Sequence, residues 1–138
     1  MATTYPVDGS HPNIQALRAI YADLTRVGEY ATDDIVLHRA DRTVDNPHFV
    51  TGREQVVAHE AALVATTDKT IVMDVEHIAA NDYFGAVFGV LRIQHPQPAA
   101  MPFCGLWRFE NGKITEHWEN AYDAPEFLRV LTQPVSAD

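Results

Sequence analysis

Residues 101–123, MPFCGLWRFENGKITEHWENAYD, constrain this chain more than any other stretch. Two apolar, aromatic-rich runs flank Glu110-Asn111-Gly112-Lys113. Asn-Gly tolerates the positive φ that a tight hairpin turn demands, so the segment reads as two antiparallel strands. The second strand carries His117 and Glu119, with Asp123 just beyond it. Strands built only for packing seldom hold so much ionisable chemistry, and the search for function starts here.

Composition narrows the class. At 138 residues, 46% of them hydrophobic, the chain suits one soluble globular domain with a real core. No apolar run approaches the ~20 residues that cross a bilayer. The first residues lack the basic start and apolar core of a secretory signal, so a cytoplasmic location is expected. The net charge is −9 and the ten Lys and Arg are scattered. No basic face is available to displace phosphate counterions, which argues against nucleic acid and against an anionic membrane as partners. Cys104 is the only cysteine, which precludes an intramolecular disulfide; inside an apolar strand it reads as buried filler.

Residues 1–11 read as an arm, 12–131 as one domain and 132–138 as a tail. Ile14, Leu17, Tyr21 and Leu24 have the spacing of one helical face, with Gly28 as the stop. A short strand, residues 35–38, follows Asp33-Asp34. A second helix runs from Arg53 to about Ala65 with a stripe of Val56, Glu60 or His59, and Leu63. From Thr70 the period changes to two. A strand, a turn at Asn81-Asp82 and a long strand from Tyr83 to Gln94 lead into the hairpin, and a short helix starts at Ala124-Pro125-Glu126. Helices placed before a four-strand meander indicate an α+β domain. Gly85 and Gly89 inside the long strand suggest bending or close backbone approach. The expected shape is a cone: a strongly curved antiparallel sheet packed on the N-terminal helices, an α+β barrel. Its hollow would be apolar with a few polar groups, as small-molecule sites are. Phe84, Phe88, Phe103, Trp107 and Trp118 are candidates for its wall.

Three segments carry a family resemblance. Asp33-Asp34-Ile35-Val36-Leu37-His38 resembles a first strand after a long helix. Thr51-Gly52-Arg53-Glu54-Gln55-Val56 resembles a Gly-Arg-Glu start of the second helix. Trp107 to Glu119 resembles a closing hairpin. The order and these motifs are similar to the nuclear-transport-factor-2-like superfamily and, within it, to the SnoaL-like proteins. The likeness covers about residues 12–131. It implies the cone-shaped fold and a sheet-mediated homodimer, but no single activity, because cyclases, isomerases, hydrolases, dehydratases and non-enzymes share this superfamily.

On a strand His117 and Glu119 share a face, roughly 7 Å apart, within reach of one small molecule. A carboxylate in an apolar hollow resists ionisation, and a neighbouring imidazole can relay its proton. SnoaL-like cyclases and limonene-epoxide-hydrolase-like proteins place a catalytic Asp in the last strand. The resemblance puts Glu119 at that position, one methylene longer. The hydrolases add an Asp-Arg-Asp trio; Arg92 is a conceivable partner, but no Arg-x-Asp is present. His38, near the presumed mouth, and Tyr21, on the first helix, could steady negative charge on oxygen. The ketosteroid-isomerase-like branch implies such a role for a helix tyrosine.

His59-Glu60-Ala61-Ala62-Leu63 begins like a zinc-protease helix without its second histidine. His77, His95 and His117 fall on or beside neighbouring strands, leaving a fold-built metal site conceivable, but no metal or cofactor is expected. The reading is a cofactor-independent acid/base enzyme acting on a small apolar carbonyl- or epoxide-bearing metabolite. Its expected catalytic residues are Glu119, His117 and His38; Tyr21, Phe88, Trp107 and Arg92 would bind substrate. The alternatives are a non-catalytic binding module using the same cavity, and a dimer surface built from Trp118, Leu106 and Val87 should those face outward.

Overall fold

The computed structural model describes residues 9–132. Most of the expected arm (1–8) and tail (133–138) lie outside the described residues. Helix α1 (Pro12–Ala22) begins with Pro in its first turn and with His11 Nδ1 accepting the Asn13 N–H at 3.0 Å. It buries Ile14, Leu17, Ile20 and Tyr21. The helix stops short of the expected Gly28. Asp23 turns extended, and its carboxylate accepts from the Thr25 N–H at 3.1 Å and hydroxyl at 2.6 Å, capping a separate 3-10 segment, Leu24–Glu29.

Strands β1 (Ala31–His38) and β2 (Phe49–Thr51) follow, then α2 (Arg53–Thr66). The meander comprises β3 (Val72–Ala80), β4 (Phe84–Ile93), β5 (Ala99–Glu110) and β6 (Lys113–Ala121), and α3 (Ala124–Thr132) closes the described chain. The hairpin turn sits at Asn111 and Gly112, with φ of 51° and 79°. Both positive angles favour those two residue types.

The sheet order is β2-β1-β6-β5-β4-β3. The four meander strands pair antiparallel, as the short connections require. The β1–β6 pair departs from the expectation: it is parallel, with Leu37 beside His117. Most of the chain separates these two strands, so no hairpin dictates their direction. With β2 and β3 as free edges the α+β sheet is curved but open, not a closed barrel. Bulges interrupt three ladders, including β3–β4 between Val75 and His77; such irregularities bend and twist a sheet. Gly89 sits opposite Val75, where a Cβ would collide with the Asp74 carbonyl.

Odd-numbered residues of β4 and β5 face the helices. Val87, Leu91, Met101, Phe103, Trp107 and Phe109 are buried there with Ile35, Leu37 and the α1 stripe. Each contributes about 1.5–3 kcal/mol of apolar burial. Even-numbered residues face away: Phe84, Phe88 and Leu106 remain 59%, 47% and 43% exposed. Phe103 and Trp107 therefore lie inside, whereas Phe84 and Phe88 do not. Val87 is buried in the core and unavailable to a dimer surface. Among the described residues no helix is long and apolar enough to cross a membrane.

Candidate active site

The inner face of β6 carries His117, Glu119 and Ala121 into the hollow under α1 and α2, and the outer face carries Glu116 and Trp118. Across the β5–β6 ladder Trp107 pairs with His117 and Gly105 with Glu119. The Trp107 indole stacks on the His117 ring, centroids 3.5 Å apart at 14°. The His117 Nδ1–H donates to the Leu106 carbonyl at 2.9 Å, leaving Nε2 as the free lone pair. Burial pushes this imidazole down to about 4 despite the raising influence of Glu119 and the Leu106 bond, so it is neutral at pH 7.

Glu119 meets two groups from α2. His59 Nε2 lies 3.1 Å from its Oε1, and Glu60 hydrogen-bonds to it directly. Glu60 is 5% exposed. Burial raises its carboxyl well above the usual range, and the adjacent Glu119 charge raises it further. Glu60 thus keeps its proton and donates it to Glu119. Burial also pushes Glu119 upward, but the His59 bond and charge, His117 and the Ala40 N–H outweigh it, and its carboxyl lies below the ordinary value. Two touching carboxyl groups with separated pKa values form an acid and a base. Arg42 braces the strand, donating to the Glu119 carbonyl at 2.6 Å and to Asn120 Oδ1 at 2.8 Å.

Tyr21 completes the wall. Its oxygen accepts from Trp107 Nε1–H at 3.1 Å, and burial raises the phenol above its ordinary range, so its own proton stays on. Gly105 makes room: a Cβ there would collide with the Tyr21 hydroxyl. Tyr21, Trp107, Glu60, His117 and Glu119 border a cavity of about 70 Å³, otherwise lined mainly by apolar residues such as Ile20, Leu91 and Phe103.

Three sequence candidates lie elsewhere. His38 is on the outer face, its Nε2 2.6 Å from Glu116 and its ring stacked on Trp118. Phe88 also faces outward, against His77. Arg92 projects from the same face of β4 into an ion pair with Asp74 at 2.9 Å. Each has the even parity of its strand's outer row. The same parity leaves Cys104 half-buried rather than in the core. His77 and His117 occupy opposite faces of the sheet, so the histidine trio does not assemble. Among the described residues His59, Glu60 and Glu119 could hold a cation, since one ligand atom from each lies within 4.8 Å of the others. A proton shared by the two carboxyl groups satisfies the same arrangement.

Sequence reasoning missed the roles of Glu60 and His59. The signal was present: a carboxyl falls in the apolar stripe of α2 between Val56 and Leu63.

The model of the SnoaL-like domain matches residues 15–117, most of the chain. The protein belongs to the SnoaL-like family. Several solved structures share the fold of this SnoaL-like protein. Bal32a, from a soil-derived mobile gene cassette, superposes with a TM-score of 0.75 at 18% identity, covering 90% of this chain and 99% of that one. A putative SnoaL-like polyketide cyclase from Jannaschia sp. CCS1 gives 0.72 at 16% identity, covering 98% and 100%. An NTF2-like protein of unknown function from Burkholderia pseudomallei K96243 gives 0.70 at 21% identity, covering 88% and 98%. At these identities the likeness establishes the fold alone. No curated protein matches the SnoaL-like chain.

Proposed function

We propose that this protein is a cofactor-independent acid/base enzyme acting on a small, largely apolar metabolite that bears a carbonyl or an epoxide. The observation that carries this reading is the contact between Glu60 and Glu119 at the edge of an apolar cavity. Glu119, ionised, takes a proton from a carbon beside a carbonyl. The Tyr21 hydroxyl, its proton uncommitted, donates to the oxygen where charge develops. Neutral His117 offers Nε2 as a proton acceptor on the same wall, and the proton held by Glu60 keeps the second carboxyl from adding a charge. Enolisation, aldol-type ring closure and isomerisation all begin with this step. The SnoaL-like family includes polyketide cyclases and isomerases, which agrees with it.

The test is exchange of the α-hydrogens of 2-butanone in D2O, followed by NMR. The wild-type protein is expected to accelerate exchange above buffer, and Glu119→Gln to lose about 10²–10⁴-fold of that acceleration. Exchange by Glu119→Gln at the wild-type rate would remove the carboxylate from the chemistry.

We propose further that the outer sheet face, with Phe88, Leu106 and Trp118, packs against a second copy of the chain. The exposed Phe88 and Leu106 beside the half-buried Trp118 support this.

A further inference from the structure

Glu119 borders two spaces. The inner cavity of about 70 Å³ lies under the sheet; an outer one of about 330 Å³ opens between α2, α3 and the segment after β1. Ala40, Leu63 and Phe127 line both, so these residues and Glu119 form the boundary that the two spaces share. The outer chamber is more than a solvent channel. Ala62, Leu128 and Leu131 add apolar wall on one side, and Arg39, paired with Asp41 at 2.7 Å, supplies the polar side.

Glu119 stands at that shared boundary, not at the bottom of the inner cavity. A molecule reaching past Glu119 would extend to both sides of it, and the two volumes would set how its atoms divide. The inner chamber admits a short end only. It also holds the hydrogen-bonding partners of a carbonyl oxygen, with the Tyr21 hydroxyl on its wall. The outer chamber is nearly five times larger and lined for apolar contact.

We propose that the substrate is an elongated carbonyl compound: its short carbonyl end fills the inner chamber, its α-carbon lies at Glu119, and a longer apolar arm occupies the outer chamber against α3. This rests on the acid/base reading above and adds the substrate's shape. It also gives Phe127 and Leu128 a function, as the floor on which the arm lies.

The experiment is binding of saturated methyl ketones, from 2-butanone to 2-dodecanone, by NMR titration of the full-length protein. Affinity is expected to keep rising beyond 2-butanone, by up to about fourfold per added methylene, until the outer chamber is full. Leu128→Asp places a charge on that wall at a half-exposed position where folding tolerates it. It should weaken the long ketones at least tenfold and leave 2-butanone within twofold, which also reports an intact fold. Affinity that levels off at the size of the inner chamber would overturn the two-chamber assignment. So would an equal rise with chain length in Leu128→Asp and wild type, because partition onto any apolar surface gives that. Either failure leaves the role of Glu119 standing if its exchange of butanone hydrogens persists; loss of that exchange dependence alone would instead strike the acid/base reading.

Discussion

Gly105 lies directly opposite Glu119 in the β5–β6 ladder, and the space its missing side chain leaves is taken by the Tyr21 hydroxyl. One glycine therefore brings a helix phenol to the carboxylate's cross-strand neighbour. Trp107, two residues along the same face, fixes that phenol by its indole N–H and covers His117 with its ring. The site is held by backbone register as much as by side-chain chemistry.

Gly105→Ala forces Tyr21 away from the sheet. The expected cost is about 1–3 kcal/mol of stability, as for other overpacked cores. Tyr21→Phe removes the colliding oxygen, so the double variant should be less destabilised than the sum of the two single ones. Chemical denaturation of all four proteins measures this; strict additivity would contradict the contact.

His59→Gln removes an imidazole whose bond and charge help hold the Glu119 carboxyl low. The carboxyl then rises, and the ionised base is lost at a higher pH. The acidic limb of the exchange-rate profile should move upward relative to wild type, with the rate at high pH changing less. An unshifted limb would separate His59 from the base.

Beside the lowered Glu119 carboxyl, two buried groups of opposite sense contribute to the pH dependence of folding stability. The His117 imidazole is depressed to about 4 from about 6.5. Below pH 6.5 the unfolded chain binds a proton that the native site refuses, so this group alone removes up to about 3 kcal/mol as pH falls toward 4. Glu60 is raised, so the native state holds a proton that the unfolded chain loses above about pH 4.5. Its contribution falls as pH rises toward the folded pKa. Glu60→Gln abolishes the second dependence. Thermal denaturation from pH 5 to 9 should find that the variant loses less stability than wild type at the alkaline end; parallel curves would show that Glu60 is ionised in the folded protein.

His38→Ala should leave the exchange rate within twofold, because His38 pairs with Glu116 on the far side of the sheet. A large loss would return it to the catalytic set.

Leu106→Glu puts a charge in the middle of the exposed outer face. Wild type should sediment as a dimer at micromolar concentration and the variant as a monomer with unchanged circular dichroism. A wild-type monomer would dismiss the second copy.

Much of this was readable in advance from local signals. Asn111-Gly112 marked the hairpin, and the two-residue spacing of His117 and Glu119 placed both on one face whatever the register. Parity of the other strands was not readable in the same way. Strand β4 is apolar on both rows: Val87 and Leu91 on one, Phe84 and Phe88 on the other. Sequence alone does not say which row meets the helices, so Phe88 and Arg92 read as site residues although they stand on the outer row. The same ambiguity holds for His38 at the end of β1, which faces Glu116 and Trp118. Glu60 was hidden differently. Helix α2 has a weak apolar stripe with a carboxyl inside it, and only the arrival of Glu119 from a strand 59 positions later gives that carboxyl a partner.

Strand β6 is the last of the described strands in chain order, yet it lies between β1 and β5. Without residues 113–121 the sheet divides into two unjoined pieces, β2-β1 and β5-β4-β3, each presenting a raw backbone edge that invites mispairing. The strand that zips them together also carries Glu119. A chain cut before residue 113 would therefore lack both the joined sheet and the Glu119 carboxylate.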